Sequence, residues 1–178
     1  MIYYTADLHL GHENVIKFSG RQFSSLEEMN KTLIENWRAV VQPEDDIYVL
    51  GDLIYKCNDP EMYLKQLTGK IHLIRGNHDT FLKDKALERY FESIDDMKTI
   101  ADEGRRVFLC HYPMAEWPGY YRNAIHLFGH IHNNRNRACE IMEQLPNNYN
   151  VGVDLLGFVP MTLDQLIALY DKKRSEGL

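Results

Sequence analysis

Five short apolar runs in this chain, 1–6, 47–50, 71–74, 107–110 and 125–128, each give way at once to a polar tip. Asp7 and His9 follow the first run, Asp52 the second, Asn77 and His78 the third, His111 the fourth, and His130 with His132 the fifth. Runs this short, bounded by turn residues, read as buried strands. Open α/β sheets place their sites in the crevice beyond the strand ends. Five of the eight histidines stand at these tips, beside two aspartates and an asparagine. Histidines scattered over a surface have no reason to select strand ends, and these are nitrogen and oxygen donors suited to divalent transition metals.

The segments between the runs set the fold class. Leu26, Met29, Leu33, Trp37 and Val40 recur at spacings of three and four behind a Ser25–Glu28 capping pattern, which predicts a helix over 25–42 that stops at Pro43. A second helix is expected from an Asp59 N-cap with Pro60 in the first position and Gly69 as its stop. Strand, helix, strand in alternation argues for parallel pairing in this half. Further on, Asp102-Glu103-Gly104 separates two apolar runs and predicts a hairpin, Tyr149–Val153 predicts another strand, and Thr162 with Gln165 caps a last amphipathic helix. No repeat, linker or low-complexity tract interrupts the chain, so residues 1–178 read as one domain. A chain of this length buries about 70% of the surface that its unfolded form exposes. It needs no metal as a staple, so a metal here would serve function.

Composition excludes several classes. The hydrophobic share of 44% and charged share of 26% are those of a globular domain, not of a disordered chain or coiled coil. A net charge of -6 disfavours broad binding to duplex nucleic acid, which needs a basic face to displace counterions. Neither a membrane span nor a signal peptide fits the apolar runs, which are only a few residues long. Cys57, Cys110 and Cys139 are odd in number and form no C-x-x-C pair, which suits reduced thiols in a cytoplasm. A structural zinc site fails on ligand type, because such sites are closed and cysteine-rich.

The motifs differ in weight. Asp7-x-His9 alone is weak. Gly76-Asn77-His78-Asp79 fixes four positions, and at ~5% usage per residue type it arises by chance about once in a thousand chains of this length. Gly129-His130-x-His132 sets two imidazoles two residues apart behind a glycine that lets the backbone come close. In this order, D-x-H, G-D, G-N-H-D, H and G-H-x-H, the chain resembles the calcineurin-like metallophosphoesterase family over residues 7–132, and looks like one of its small single-domain bacterial or phage-type members. The segments Thr5–Asn14 and Asn150–Asp154 resemble that subgroup as well.

The resemblance implies an αββα sandwich, two central mixed β-sheets flanked by helices, with a dinuclear site at the strand ends. It implies that Asp7, His9 and His132 bind one metal ion, that Asn77, His111 and His130 bind a second, and that Asp52 bridges them. Two divalent ions of the Mn, Fe, Zn, Ni or Co group are the implied cofactors, and metal-bound hydroxide is the implied nucleophile. His78 is the expected catalytic group outside the ligand set, as general acid or stabiliser of developing charge. Asp79 carries two open readings: it orients the His78 ring, or it bonds loop amides. Arg75 stands equally between binding substrate phosphate and pairing with an acid. His12 is read as contacting substrate or supporting the Asp7–His9 loop, Asn77 as also facing the substrate, and Asn14 as a local turn or cap.

His72 and His126, inside strands, read as buried histidines with local hydrogen bonds, and the aromatic stretch 112–122 reads as packing, with stacking of a nucleobase as the alternative. The arginine and lysine pairs elsewhere read as solvated faces. The expected activity is hydrolysis of phosphate diesters or monoesters. The expected partner is a small phosphate ester, nucleotides included, with no duplex nucleic acid and no membrane. The rival readings are a nuclease on short single strands, a broad phosphatase, and a decayed scaffold that binds proteins; the last would have lost ligands, and none is missing.

Overall fold

The computed structural model describes residues 1–176; residues 177 and 178, which the single-domain reading also takes in, lie outside that description. Strands β1 (Ile2–Thr5), β2 (Asp46–Val49), β3 (Lys70–Ile74) and β4 (Ser93–Asp95) pair in that order, all parallel. Strands β5 (Met97–Asp102), β6 (Arg105–Cys110), β7 (Ile125–Phe128) and β8 (Asn148–Asn150) form the second sheet, in which β5 and β6 pair antiparallel and the rest parallel. Of the two sheets, expected to be mixed, only the second is. In the first, helical or turn-rich crossovers bring each strand back in the same direction. The helices are α1 (Asn14–Phe18), α2 (Leu26–Val40), α3 (Glu61–Leu64), α4 (Arg137–Glu143) and α5 (Leu163–Glu176).

Alternation along the strands sorts the side chains into layers. Tyr3, Ile47, Val49, Ile71 and Leu73 pack with Met29, Leu33 and Trp37 of α2. The residues between them, Tyr4, Tyr48, Leu50 and Ile74, meet Val107, Leu109, Ile125 and Leu127 of the second sheet, and Leu163 and Leu166 of α5 join this cluster. On the far face, Phe108 and Phe128 pack with Trp117 and Met142. The result is the αββα sandwich. Both faces of the inner strands are covered, which is why they read as unbroken apolar runs. Each fully buried branched side chain contributes roughly 1.5–3 kcal/mol.

The caps of α2 and α5 form as the sequence predicts. Ser25 accepts the Glu28 amide at 3.1 Å. Thr162 and Gln165 cap each other, with the Thr162 amide donating to Gln165 Oε1 at 2.9 Å and the Gln165 amide to Thr162 Oγ1 at 3.4 Å. The helix expected over 60–68 shrinks to the single turn α3. There Trp37 Nε1 donates to the Thr68 carbonyl and the Thr68 hydroxyl to the Val41 carbonyl, both at 2.9 Å. These bonds hold the chain against α2 and divert it into β3. Among the described residues no helix is long and apolar enough to cross a membrane.

Candidate metal centre

The site lies where the two sheets open at the C-terminal ends of their parallel strands. Backbone pairing continues past β1 and β2 into the tips: the Asp7 amide donates to the Gly51 carbonyl at 3.0 Å, His9 to Asp52 at 2.9 Å and Leu10 to Leu53 at 3.0 Å. In the other sheet the Gly129 amide donates to the His111 carbonyl at 2.9 Å. A bridge between Ala6 and Gly152 joins the two tips. Side chains 125 positions apart in sequence are thereby brought onto one cluster, as Asp7 and His132 show.

Two groups converge. Ligand atoms of Asp7, His9 and His132 lie within 4.8 Å of one another, and so do those of Asp7, Asp52 and His111. His9 Nε2 and His132 Nε2 face each other at 3.2 Å. Asp52 Oδ2 stands 3.6 Å from His9 Nε2 on one side and 3.6 Å from His111 Nε2 on the other. Asn77 Oδ1 is 3.0 Å from His111 Nε2. The His130 ring lies 5.1 Å from that of His111, and its amide donates to the Asp7 carboxylate at 2.9 Å. Donors that share one ion at about 2.1 Å stand about 3–3.5 Å apart. The 3.2 Å between His9 and His132, the 3.0 Å between His111 and Asn77 and the 3.6 Å from Asp52 to either histidine are close to that size.

The backbone is shaped around these side chains. Asp7, His9, Asp52, His130 and His132 all have positive φ, between 51° and 71°, five of the ten non-glycine residues that do among the described residues. Such conformations cost of order 1 kcal/mol or more each and persist where the surroundings impose them, most often at functional sites. A Cβ on Gly76 would lie 2.2 Å from Asp52 Oδ1, and one on Gly129 2.7 Å from Asp7 Oδ2. Only glycine leaves room for the two carboxylates.

Electrostatics fit a cation. Asp7, Asp52, Asp79 and Asp154 are buried carboxylates, and Arg21 is the buried guanidinium among them. Burial pushes Asp7 up to about 7. Burial, with His132 beside it, pushes His9 down to about 2. Burial also raises Asp52 and lowers His111 and His130. Neutral His9, His111 and His130 around crowded carboxylates are donors poised for divalent ions, whereas at His132 burial is outweighed by the bonded Asp154 carboxylate and that ring is raised; the buried His9 Nδ1 has no hydrogen-bond partner. The tautomer of His111 fits as well: its Nδ1 donates to the Leu50 carbonyl at 2.8 Å, which leaves the Nε2 lone pair facing Asp52 and Asn77.

The other predicted residues separate. His78 is half-buried at the rim, its ring 4.2 Å from that of Tyr55 and 5.5 Å from that of His9, and its amide donates to Asp52 Oδ1 at 2.8 Å. Asp79 corrects the reading that it orients the His78 ring: its oxygens accept the amides of Asp52, Leu53 and Gly76 at 2.9, 2.8 and 2.7 Å. It organises the loop. Arg75 is exposed and pairs with Asp96 at 3.0 Å. His12 is buried against Tyr55, with ring centroids 4.6 Å apart and Nδ1 unpartnered. Asn14 opens α1. His72 bonds Asp46 and Ser93, and His126 bonds the Phe108 carbonyl, as expected of buried histidines. In the 112–122 stretch Trp117 packs inward with its Nε1 on the Ala124 carbonyl, whereas Tyr112 is exposed and its ring lies 4.6 Å from His130.

Two buried residues escaped the sequence reading, Arg21 and Asp154. Asp154 follows the predicted strand 149–153, so the strand-end pattern pointed to it. Arg21 carries no such signal.

A family model described as a calcineurin-like phosphoesterase superfamily domain matches residues 2–149. An uncharacterized protein of Methanocaldococcus jannaschii is 34% identical over 174 residues, 96% of this chain and 92% of that protein. The gene 66 protein of Mycobacterium phage D29 is 27% identical over 86% of this chain and 87% of its own. Among solved structures, a protein of unknown function from Aquifex aeolicus superposes with a TM-score of 0.77 at 29% identity, over 95% of this chain and 98% of its own.

Proposed function

Since this chain belongs to the calcineurin-like phosphoesterase superfamily, whose domain spans residues 2–149 of it, we propose that it is a metal-dependent hydrolase of phosphate esters that works with two divalent ions. The observation that carries this reading is Asp52 Oδ2, equidistant at 3.6 Å from a histidine nitrogen of each cluster. A carboxylate there would be within reach of an ion at either cluster. Asp7, His9 and His132 would hold one ion, and Asn77, His111 and His130 the other. Two such ions supply positive charge for the phosphoryl oxygens and a water of lowered pKa. Manganese, iron, zinc, nickel and cobalt all suit this donor set.

The chain's own residues complete the chemistry. Asp79 fixes the loop that carries His78 through three amides, and the His78 amide is tied to Asp52. The His78 ring, free at the rim, hydrogen-bonds the developing charge or protonates the leaving oxygen. Tyr112 and Tyr55 flank the opening, beside His130 and His78. The substrate is a small phosphate ester, nucleotides included, with diesters slightly ahead of monoesters. The net charge of -6 weighs against a nuclease. The three cysteines are unpaired, which suits the cytoplasm.

The test is hydrolysis of bis(p-nitrophenyl) phosphate and p-nitrophenyl phosphate by metal-stripped protein, before and after addition of Mn, Ni, Zn or Mg, with D52N and H78A alongside. We expect metal to restore turnover, D52N to abolish it, and H78A to keep two ions while losing about 100-fold or more in rate. Protein that binds no metal and turns over neither ester would revive the scaffold reading.

A further inference from the structure

Arg21 lies wholly inside the protein, 14 positions beyond Asp7, and every side-chain nitrogen is used. Its Nε donates to Asp154 Oδ1 at 2.7 Å and one terminal nitrogen to Asp154 Oδ2 at 3.2 Å. The same nitrogen donates to the Asp7 carbonyl at 2.7 Å, and the other to the Leu8 carbonyl at 2.9 Å. The guanidinium thus clamps the left-handed turn that presents Asp7 and His9. Asp154, 2% exposed at its side chain, turns its Oδ2 to His132 Nδ1 at 2.7 Å. Ser19 Oγ stands 3.2 Å from the same nitrogen.

A carboxylate can only accept, so His132 carries its proton on Nδ1. In the neutral ring the lone pair is then on Nε2, the nitrogen facing His9 Nε2 at 3.2 Å. We propose that Arg21 and Asp154 are positioning residues for the ion held by Asp7, His9 and His132, fixing the turn of the first two ligands and the tautomer of the third. This rests on the dinuclear reading above. The proposal has a sharp corollary. Arg21 has only donors, so an asparagine at position 154 must turn its carbonyl oxygen to the guanidinium and its amide nitrogen to His132. That –NH2 would force the proton of His132 onto Nε2 and remove a ligand without changing the shape of the site.

The test combines metal titration with nitrogen NMR of ¹⁵N-histidine-labelled, metal-free protein, at a pH high enough for the His132 ring, whose proton Asp154 helps to hold, to be neutral, for wild type, D154N and S19A. Expected are two Mn²⁺ sites in wild type with His132 as the Nδ1–H tautomer. D154N should show the Nε2–H tautomer, with one site weakened by about 10- to 100-fold and the other unchanged. S19A should match wild type. Two undiminished sites in D154N, or an Nε2–H tautomer in wild type, would overturn the proposal. The wild-type tautomer decides even if D154N does not fold. Fewer than two sites in wild type would instead sink the dinuclear reading, and the tautomers would still judge the role of Asp154.

Discussion

Aspartate and histidine tolerate left-handed backbone better than most side chains. At Asp7, His9, Asp52, His130 and His132 a residue type chosen for its donor atoms is therefore also one that permits the turn. The tips were legible in the sequence for a simpler reason: each follows a short apolar run. Arg21 and Asp79 were harder. A charged side chain gives no sign in sequence of whether it faces water or carbonyls and amides of its own fold. His126 shows the cost of misplacing such a group. It is fully buried, and burial pushes it down to about 4. An unfolded chain takes up this proton near pH 6.5, so His126 alone takes about 3 kcal/mol from the stability of the folded state as pH falls from about 6.5 to 4. Urea unfolding of metal-free protein at pH 7.5 and 4.5 should show this loss. H126F, which keeps a ring among Phe108, Trp117 and Phe128, should show about 3 kcal/mol less of it.

The helices were legible where local chemistry alone decides them. The caps of α2 and α5 are built from residues three apart, and periodicity marks the buried stripe of α2. By contrast α3 ends early because Thr68 is held by Trp37 and Val41, partners 31 and 27 positions away. β4 and α4 were invisible for a related reason. Every residue of β4 is half-buried, and in α4 only Met142 is buried, so neither leaves an apolar pattern. Because α5 is nearly devoid of buried residues beyond Leu163 and Leu166, its start depends on the Thr162 cap. T162A should destabilise the protein by about 1 kcal/mol. A drop in urea midpoint with an unchanged denaturant slope would bear this out, and an unmoved midpoint would show that packing alone sets the helix start.

Across the whole molecule, each proposed ion draws on both sheets. Asp7 and His9 belong to the first and His132 to the second; Asn77 belongs to the first and His111 and His130 to the second. Metal should therefore hold the sandwich closed as well as serve turnover. At a free concentration 100 times its Kd each ion stabilises the fold by about 2.7 kcal/mol. For a chain of this size each kcal/mol moves Tm by about 2–4 °C. Stripping both ions should lower Tm by about 10–20 °C, adding Mn²⁺ should restore it, and D52N should respond to neither.

The two-sheet origin of the cluster has a consequence in time. Residues 7–78 leave the ribosome well before residues 111–132. A nascent first sheet carries a carboxylate-rich half-cage with His9 but with the imidazoles of His111, His130 and His132 still unmade, and it has no complete cavity in which to trap an ion. Loading must then wait for the second sheet to dock, so that the appearance of bound metal during refolding dates the closure of the sandwich.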